Sequence, residues 1–393
     1  MPVDAEVVII GGGPVGSSFA AQTASYTTVV VEEHAEIGHP VQCTGLVHPR
    51  VVEMTQAQDT VLNEISGLRL TPPGGKSIEV RSNETKAMVI DRKRFDRQLS
   101  ERAEAEGADI LTGREFIGFK RDGKKVRIDL QGPKGHESIL ADLLVGADGY
   151  KSRVGRLAGL GPAKEFVRGI QADLAVRMED QSMVEMLIGQ KVAPGFFAWI
   201  LPCGEFTRVG LGVSEGNGAP SSYLNALIKK RGLEGTERLR IMSGAIPVGP
   251  PKKTCTDNIL IVGDAAAQTK PLSGGGLYTG LRSARWAAMT AVEALKEGDV
   301  SARRLSDYDV KWRADIGKEV DRGLLIRKVY VNLTDRKMDD VCRMLDRPDA
   351  KEVLSGGDID YPSKIATPLL KTVPSLVKFS PQLIGSLIRR EQR

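Results

Sequence analysis

Two glycine-rich clusters stand at opposite ends of this 393-residue chain, and each follows an apolar run. The first is Gly11-x-Gly13-x-x-Gly16, after Glu6–Ile10. The second is Gly263-Asp264-Ala265-Ala266 after Ile259–Val262, with Gly274-Gly275-Gly276 ten residues further on. In the first cluster each glycine has its own task. Gly11 permits a tight turn, Gly13 lets a ligand approach the backbone, and Gly16 lets a helix pack closely on a strand. The free N–H groups at the following helix start favour a phosphate. Glu32 ends the next strand, 21 residues after Gly11, near the ~20 expected of an acid that binds ribose hydroxyls. Glu33 is the competing choice, but the apolar run stops at Val31 and leaves Glu32 at the strand tip.

A dinucleotide motif alone does not separate one cofactor from another. The second cluster does. Asp264, at the end of a buried-type strand, suits a ribityl or ribose hydroxyl, and Gly274–Gly276 opens a long helix whose N-terminus offers a second anion or carbonyl site. The competing reading of Asp264 is a plain helix cap. With Gly146-Ala147-Asp148-Gly149 as a third segment, the pattern describes one long cofactor clamped by distant parts of a single fold. That cofactor is FAD.

The elements that must position these groups follow from periodicity. Glu6–Ile10 and Thr28–Val31 read as buried parallel strands, with a helix continuing through Ser17–Ser25 after Pro14. Arg92–Glu106 reads as a helix with Phe95, Leu99 and Ala103 on one face and Asp91 as its N-cap. Alternating runs such as Gly169–Arg177 and Val209–Val213 predict a largely antiparallel sheet. Gly275–Leu295 and Leu305–Tyr330 read as helices. The expected class is α/β. A Rossmann-like FAD domain (1–164, returning at 251–300) holds a substrate domain built on the antiparallel sheet (165–250), and a helical C-terminal region (301–393) follows.

Composition narrows the function. Cys43, Cys203, Cys255 and Cys342 are scattered and form no C-x-x-C pair, which argues against a disulfide framework or zinc site, and no metal site is expected. No apolar run approaches the roughly 18 residues of a transmembrane helix, and the first residues lack signal-peptide character. A reduced, cytoplasmic protein is the expectation. The net charge of +5 is concentrated after Tyr361, where Lys364, Lys371, Lys378, Arg389, Arg390 and Arg393 face Glu391 alone. A nucleic-acid protein would carry its basic stripe on the folded body, so no nucleic-acid partner is expected. The tail's apolar residues (Leu369, Leu370, Val373, Leu376, Val377, then Leu383, Ile384, Leu387, Ile388) recur at helical spacing. Pro374 and Pro381 divide the tail, and Ser380-Pro381 has the pattern of a helix start. The tail is expected to sit on an anionic membrane surface, peripheral on its inner face. The competing reading is that it packs on the protein's own core.

The three glycine segments together resemble the FAD-dependent family that includes p-hydroxybenzoate hydroxylase. Finer features are similar to its geranylgeranyl reductase branch and, within that, to the archaeal digeranylgeranylglycerophospholipid reductases. These are Glu36-Ile37-Gly38, Pro40-Val41-Gln42-Cys43, Asp91-Arg92 with Phe95-Asp96, Gly146–Gly149 with Ser152 and Val154, and Pro271 with Gly274–Leu277. The resemblance implies an FAD site formed by Gly11, Gly13, Val15, Gly16, Glu32, Gln42, Cys43, Thr44, Gly45, Arg92, Phe116, Asp148, Asp264, Gly275, Gly276 and Leu277. Within it the Cys43 loop lies against the flavin ring, Arg92 reaches the phosphate or ribityl part, and Phe116 meets the adenine through its backbone. Cys43 is then the candidate proton donor, alone or through a held water. Its other reading is an ordinary buried thiol.

Where the family shows Tyr-x-Trp-x-Phe-Pro along its substrate channel, this chain has Phe197-Ala198-Trp199-Ile200-Leu201-Pro202. The channel stays lipophilic through Phe197, Trp199 and Leu201 but loses a tyrosine hydroxyl. Trp199 as a plain core residue remains the other reading. The implied activity is saturation of carbon–carbon double bonds in geranylgeranyl chains of archaeal membrane lipid precursors. The electron donor stays open among NAD(P)H, ferredoxin and deazaflavin. The alternatives are an aromatic monooxygenase of the same fold, a reductase of another prenyl substrate, and a non-catalytic flavin-binding membrane adaptor.

Overall fold

The computed structural model describes residues 4–379. Its first sheet has eight strands. Gly135–Gly146 lies between Ile259–Ile261 and Asp4–Ile10, and Thr28–Val31 and Asp109–Leu111 extend the sheet beyond Asp4–Ile10, all in parallel register. Successive strand residues point to opposite faces, and both faces are covered. Val7, Ile9, Val30, Leu143 and Val145 pack with Phe19, Ala103 and the alanines 284, 287, 288, 291 and 294 of three helices: Pro14–Thr23, Arg92–Ala105 and Leu277–Glu297. Val8, Ile10, Val29, Val31 and Leu144 face the antiparallel hairpin Glu115–Asp122/Lys125–Gly132 through Phe116, Val126, Ile128 and Leu130. Burial on two sides is why these strands are continuously apolar.

The second sheet has seven strands, in the order Arg238–Val248, Glu165–Leu174, Thr207–Ser214, Phe197–Pro202, Met183–Ile188, Gly67–Thr71, Ile78–Arg81. All pairs are antiparallel except Met183–Ile188 with Gly67–Thr71. Five strands thus come from the 165–250 block. The other two come from the segment assigned to the FAD domain, because a register across the chain, invisible to local periodicity, adds them to this sheet's edge. One face is closed by the Pro220–Lys230 helix through Leu224, Leu227 and Ile228. The other face looks toward the first sheet.

Asp91 caps the Arg92–Ala105 helix, accepting from the N–H groups of Lys93 and Arg94. The expected Leu305–Tyr330 helix is divided into Ala302–Trp312 and Lys318–Tyr330 by a π-helical turn at Arg313–Gly317.

At the C-terminal end, Leu369, Val373 and Leu376 pack with Ile78, Leu345 and Ala350, and Val373 is fully buried. The first part of the tail expected to face a membrane therefore rests on the body of the protein, since its helical stripe meets Ile78 on the buried face of the edge strand Ile78–Arg81. Leu383, Ile384, Leu387, Ile388, Arg389 and Arg390, with the Ser380-Pro381 helix start, lie outside the described residues. Among the described residues no helix is long and apolar enough to cross a membrane.

Candidate functional site

The two glycine clusters meet in space. Val15, in the helix after the first cluster, inserts between Gly263 and Gly280. A Cβ on Gly263 would lie 3.0 Å from Val15 Cγ1, and one on Gly280 2.7 Å from Val15 Cγ2. Gly16 is packed as closely, its added Cβ falling 2.0 Å from the Gly11 carbonyl oxygen, and Gly11 has φ +104 against Ala147. Gly13 differs: nothing lies within 4 Å of its added Cβ. Gly11, Gly16, Gly263 and Gly280 serve packing, and Gly13 presents open backbone to the cavity. This is a cradle fitted to a pyrophosphate.

Glu32 is tied to that turn. One carboxylate oxygen accepts from the Gly12 N–H at 2.9 Å, and the other accepts from the His34 N–H at 2.9 Å and approaches His34 Nδ1 at 2.6 Å. Glu33 is largely exposed and touches only the far side of His34, at 3.8 Å. Arg114 lines the same end, its N–H donating to the Glu32 carbonyl. Phe116 has its ring in the core, and its carbonyl accepts from Arg153. Asp148 lines the cavity, but its carboxylate accepts from Ser152 Oγ at 2.7 Å and the Val154 N–H at 3.0 Å. Its side chain thus shapes the turn around Gly149.

The other end is built around the loop Gln42–Gly45. Gln171, on the second sheet, donates to the Cys43 carbonyl at 3.0 Å and accepts from Thr44 Oγ1 at 3.0 Å. Arg208 donates to the Thr44 carbonyl while paired with Asp173 at 2.7 Å, both side chains being buried. Gln42 lies against Gly244. Cys43 is half-buried, and its Sγ accepts from the Gly45 N–H at 3.4 Å. Arg92 stands beside Cys43 while gripping Asp96 through two contacts of 2.9 Å. Burial opposes the charge of Arg92, but Asp96 and Cys43 outweigh it and hold the guanidinium more firmly protonated than usual. Arg92, expected to reach the phosphate or ribityl part of the cofactor, lines the cavity beside the Cys43 loop and Asp264.

Asp264 completes this end. It sits in the Gly263–Ala266 turn with Oδ1 over the start of the Leu277–Glu297 helix, 2.7 Å from where a Gly276 Cβ would be. Burial pushes its carboxyl up to about 6, with Arg92 pulling the other way. Leu277, buried with Val51, Val52 and Phe95, anchors the helix start.

A third arm of the cavity is apolar. The strand registers place Met242, Gln171, Gly210, Trp199, Met186, Leu70 and Ile78 in one transverse row across the second sheet. Gln171 brings the row to Cys43, and Ile78 ends it under the C-terminal helices. Gly210 has no side chain because the Trp199 ring occupies that place, 2.6 Å from its added Cβ. Leu201, Val184, Leu68 and Val80 line the wall beside it, with Phe197 further along. The Trp199 indole N–H is buried with no hydrogen-bond partner. Sequence reading found Phe197, Trp199 and Leu201 but missed Leu68, Leu70, Met186, Gln171, His34 and Arg114. Alternation in Gly67–Thr71 and Ile78–Arg81 was the available signal, although nothing local tied those strands to residues a hundred positions later.

All three arms belong to one cavity of about 2270 Å³. Ordinary ligand pockets hold roughly 300–1,000 Å³, so this one has room for a dinucleotide and a second, long, apolar ligand. Among the described residues no cluster of potential ligands could hold a metal ion.

Comparison with known proteins agrees with this geometry. Residues 4–213 match the family model described as an FAD binding domain, and the chain is an FAD-dependent oxidoreductase. It is 33% identical to digeranylgeranylglycerophospholipid reductase 2 of Methanothermobacter thermautotrophicus, over 95% of this chain and 98% of that one. It is 32% identical to the digeranylgeranylglycerophospholipid reductase of Methanocaldococcus jannaschii, over 96% and 98%. The chain belongs to the digeranylgeranylglycerophospholipid reductase family. Its fold is also that of a geranylgeranyl bacteriochlorophyll reductase-like protein from Thermoplasma acidophilum, with TM-score 0.87, 22% identity and coverage of 99% and 100%. The p-nitrophenol 4-monooxygenase of Pseudomonas putida shares the fold more loosely, with TM-score 0.67, 16% identity and coverage of 95% and 98%.

Two outcomes follow. Glu32→Ala removes a carboxylate from the ribose end and should weaken FAD binding by about 1.5–3 kcal/mol, read by titrating apoprotein with FAD. A wild-type affinity would remove Glu32 from the site. The second concerns pH. Because the folded protein favours neutral Asp264, its contribution to apoprotein stability is complete below about pH 4 and is lost as pH rises through about 6. The loss is on the order of 3 kcal/mol. Denaturant melts of wild type and Asp264→Asn should converge below pH ~4 and draw apart between pH ~4 and ~6, with the variant more stable above that. Parallel curves would contradict the assignment.

Proposed function

We propose that this enzyme saturates the carbon–carbon double bonds of geranylgeranyl chains in archaeal membrane lipid precursors. The observation that carries the reading is the apolar row leading from the Cys43 loop to Ile78. It is a dry wall long enough for an isoprenoid chain and anchored at its inner end beside the cofactor cradle. The names of the full-length relatives support it.

An isolated trisubstituted alkene does not delocalise charge, so the reaction needs hydride and proton delivered to fixed positions in a site that excludes water. Bound FAD, once reduced, supplies the hydride. The chain supplies the rest. Trp199, Met186 and Leu70 hold the isoprenoid against the sheet. Gln171 and Arg208 hold the Cys43 loop from below, and Cys43 Sγ holds the proton beside the site. Arg92, gripped by Asp96, places its positive charge beside that sulfur.

The decisive assay is anaerobic incubation of the reduced enzyme with unsaturated archaeal-type lipid, followed by mass spectrometry. Products heavier by two hydrogens per double bond are expected. An oxygenated product on admitting air, with no saturation, would favour a monooxygenase. Cys43→Ser should retain FAD and lose most single-turnover oxidation by lipid. A wild-type rate would return Cys43 to a structural role.

We further propose that the enzyme works in the cytoplasm, on the inner face of the membrane, with residues 380–393 supplying apolar and basic contacts. Lys371 and Lys378 would flank that surface, each cation near an anionic membrane contributing on the order of 1 kcal/mol. Because Val373 belongs to the body, the test is to remove residues 380–393 alone. The shortened chain should co-sediment less with anionic liposomes. Equal sedimentation would overturn the membrane role.

A further inference from the structure

Lys270 is a buried charge that the chemistry above leaves unused. It lies between the Asp264 turn and the Leu277–Glu297 helix, and its backbone closes the glycine turn at that helix start. Its N–H donates to the Gly275 carbonyl at 3.0 Å, and its carbonyl accepts from the Gly274 N–H at 2.8 Å. The side chain then folds back over the same turn. A Cβ on Gly275 would lie 2.7 Å from Lys270 Cε and 2.9 Å from Nζ. The side chain is 7% exposed and lines the cavity.

Its partners come from a distant segment. Nζ donates to Asp360 Oδ1 at 2.7 Å and to the Ile359 carbonyl at 2.8 Å. Asp360 is 2% exposed, and its other oxygen is buried with no hydrogen-bond partner. The nearest further cation is Arg50, 3.7 Å from that oxygen and itself paired with Asp358 at 2.7 Å. Segment 358–363 is held in place independently. Tyr361 meets the Tyr278 hydroxyl at 2.9 Å, and the Ser363 N–H donates to Glu319 at 2.9 Å.

An ion pair taken this far out of water repays its desolvation only with good geometry and fully satisfied hydrogen bonds, and one Asp360 oxygen has none. Here a full positive charge and the positive end of a 21-residue helix converge on one glycine turn. Such a point favours a ligand that gains negative charge. An oxidised flavin ring that takes up two electrons and one proton from its external hydride or electron donor becomes a monoanion. A cation held at that ring stabilises the product of reduction over the starting state.

We propose that Lys270 raises the reduction potential of the bound flavin, and that Asp360, carried by segment 358–363, sets how much of that charge the ring feels. The inference rests on the reading that the Gly274–Leu277 turn holds the ring end of FAD. Lys270 is a positioning charge in this account and takes no part in proton or hydride transfer.

The test is an anaerobic reductive titration of the full-length, FAD-loaded protein against reference dyes, beside Lys270→Met, Lys270→Arg and Asp360→Asn. Lys270→Met should lower the ratio of affinities for reduced over oxidised flavin at least tenfold, a fall of about 30 mV for a two-electron couple. Asp360→Asn should shift the potential upward, and Lys270→Arg should stay closer to wild type than Lys270→Met. Opposite shifts from two partners of one ion pair are not produced by loosening of the fold. Unmoved potentials, or shifts of the same sign, would overturn the proposal. If Lys270→Met does not hold FAD, Asp360→Asn decides alone: a potential at or below wild type overturns the idea. Asp264→Ala, titrated with FAD as apoprotein, separates the two levels. Unchanged FAD affinity there removes the ring from this turn, and the inference with it. Weakened affinity with unmoved potentials leaves the site standing and removes only the role of Lys270.

Discussion

The close approach of three backbones around Val15 is the constraint on which the rest of the site depends. The helix after the first glycine cluster, the Asp264 turn and the Leu277–Glu297 helix come together where Gly263 and Gly280 leave room for one valine side chain. Interiors this dense do not accommodate an added methylene without displacement. The same contact brings the pyrophosphate cradle at Gly13 and the helix start at Gly276 into one cavity. Residues some 250 positions apart thus face a single ligand because neither segment can shift without a clash.

Polar contacts from the second sheet fix one loop of this assembly. Gln171 and Arg208 reach up to the carbonyls of Cys43 and Thr44, and Asp173 neutralises Arg208 in the sheet interior. Buried pairs of this kind are weak contributors to net stability. What they provide is position: guanidinium and amide donors have fixed geometry, and each reaches a carbonyl that would otherwise be unpaired. The loop carrying the candidate proton donor is consequently fixed relative to both the cofactor cradle and the apolar wall.

The C-terminal region serves the site more than a surface appendage would. Asp358, Asp360, Tyr361 and Ser363 tie it to Arg50, Lys270, Tyr278 and Glu319, of which Lys270 and Tyr278 line the cavity. Val373 and Leu369 then cover Ile78 at the far end of the channel. One continuous stretch of chain thus lines the cavity beside Lys270 and packs on Ile78 at the outer end of its apolar arm.

Much of this was legible locally. Two-sided burial makes the parallel strands uniformly apolar, so Thr28–Val31 and Ile259–Ile261 were visible. Positive φ and close packing demand glycine, so Gly11, Gly16 and Gly263 announced the cofactor turns. A cap needs an acceptor at one position, which marked Asp91. Other features depended on pairing between distant segments. The placement of Gly67–Thr71 beside Met183–Ile188, the position of Arg92 beside Cys43, and the seating of Val373 on Ile78 are such cases. So is the Lys270–Asp360 pair, ninety residues apart in the chain. A sequence by itself determines which segments are strands, turns and helix starts, because those depend on backbone conformation and the period of burial. Only the tertiary structure decides which edge a strand joins and which carboxylate a buried cation meets, because those depend on packing and desolvation among groups that share no local signal.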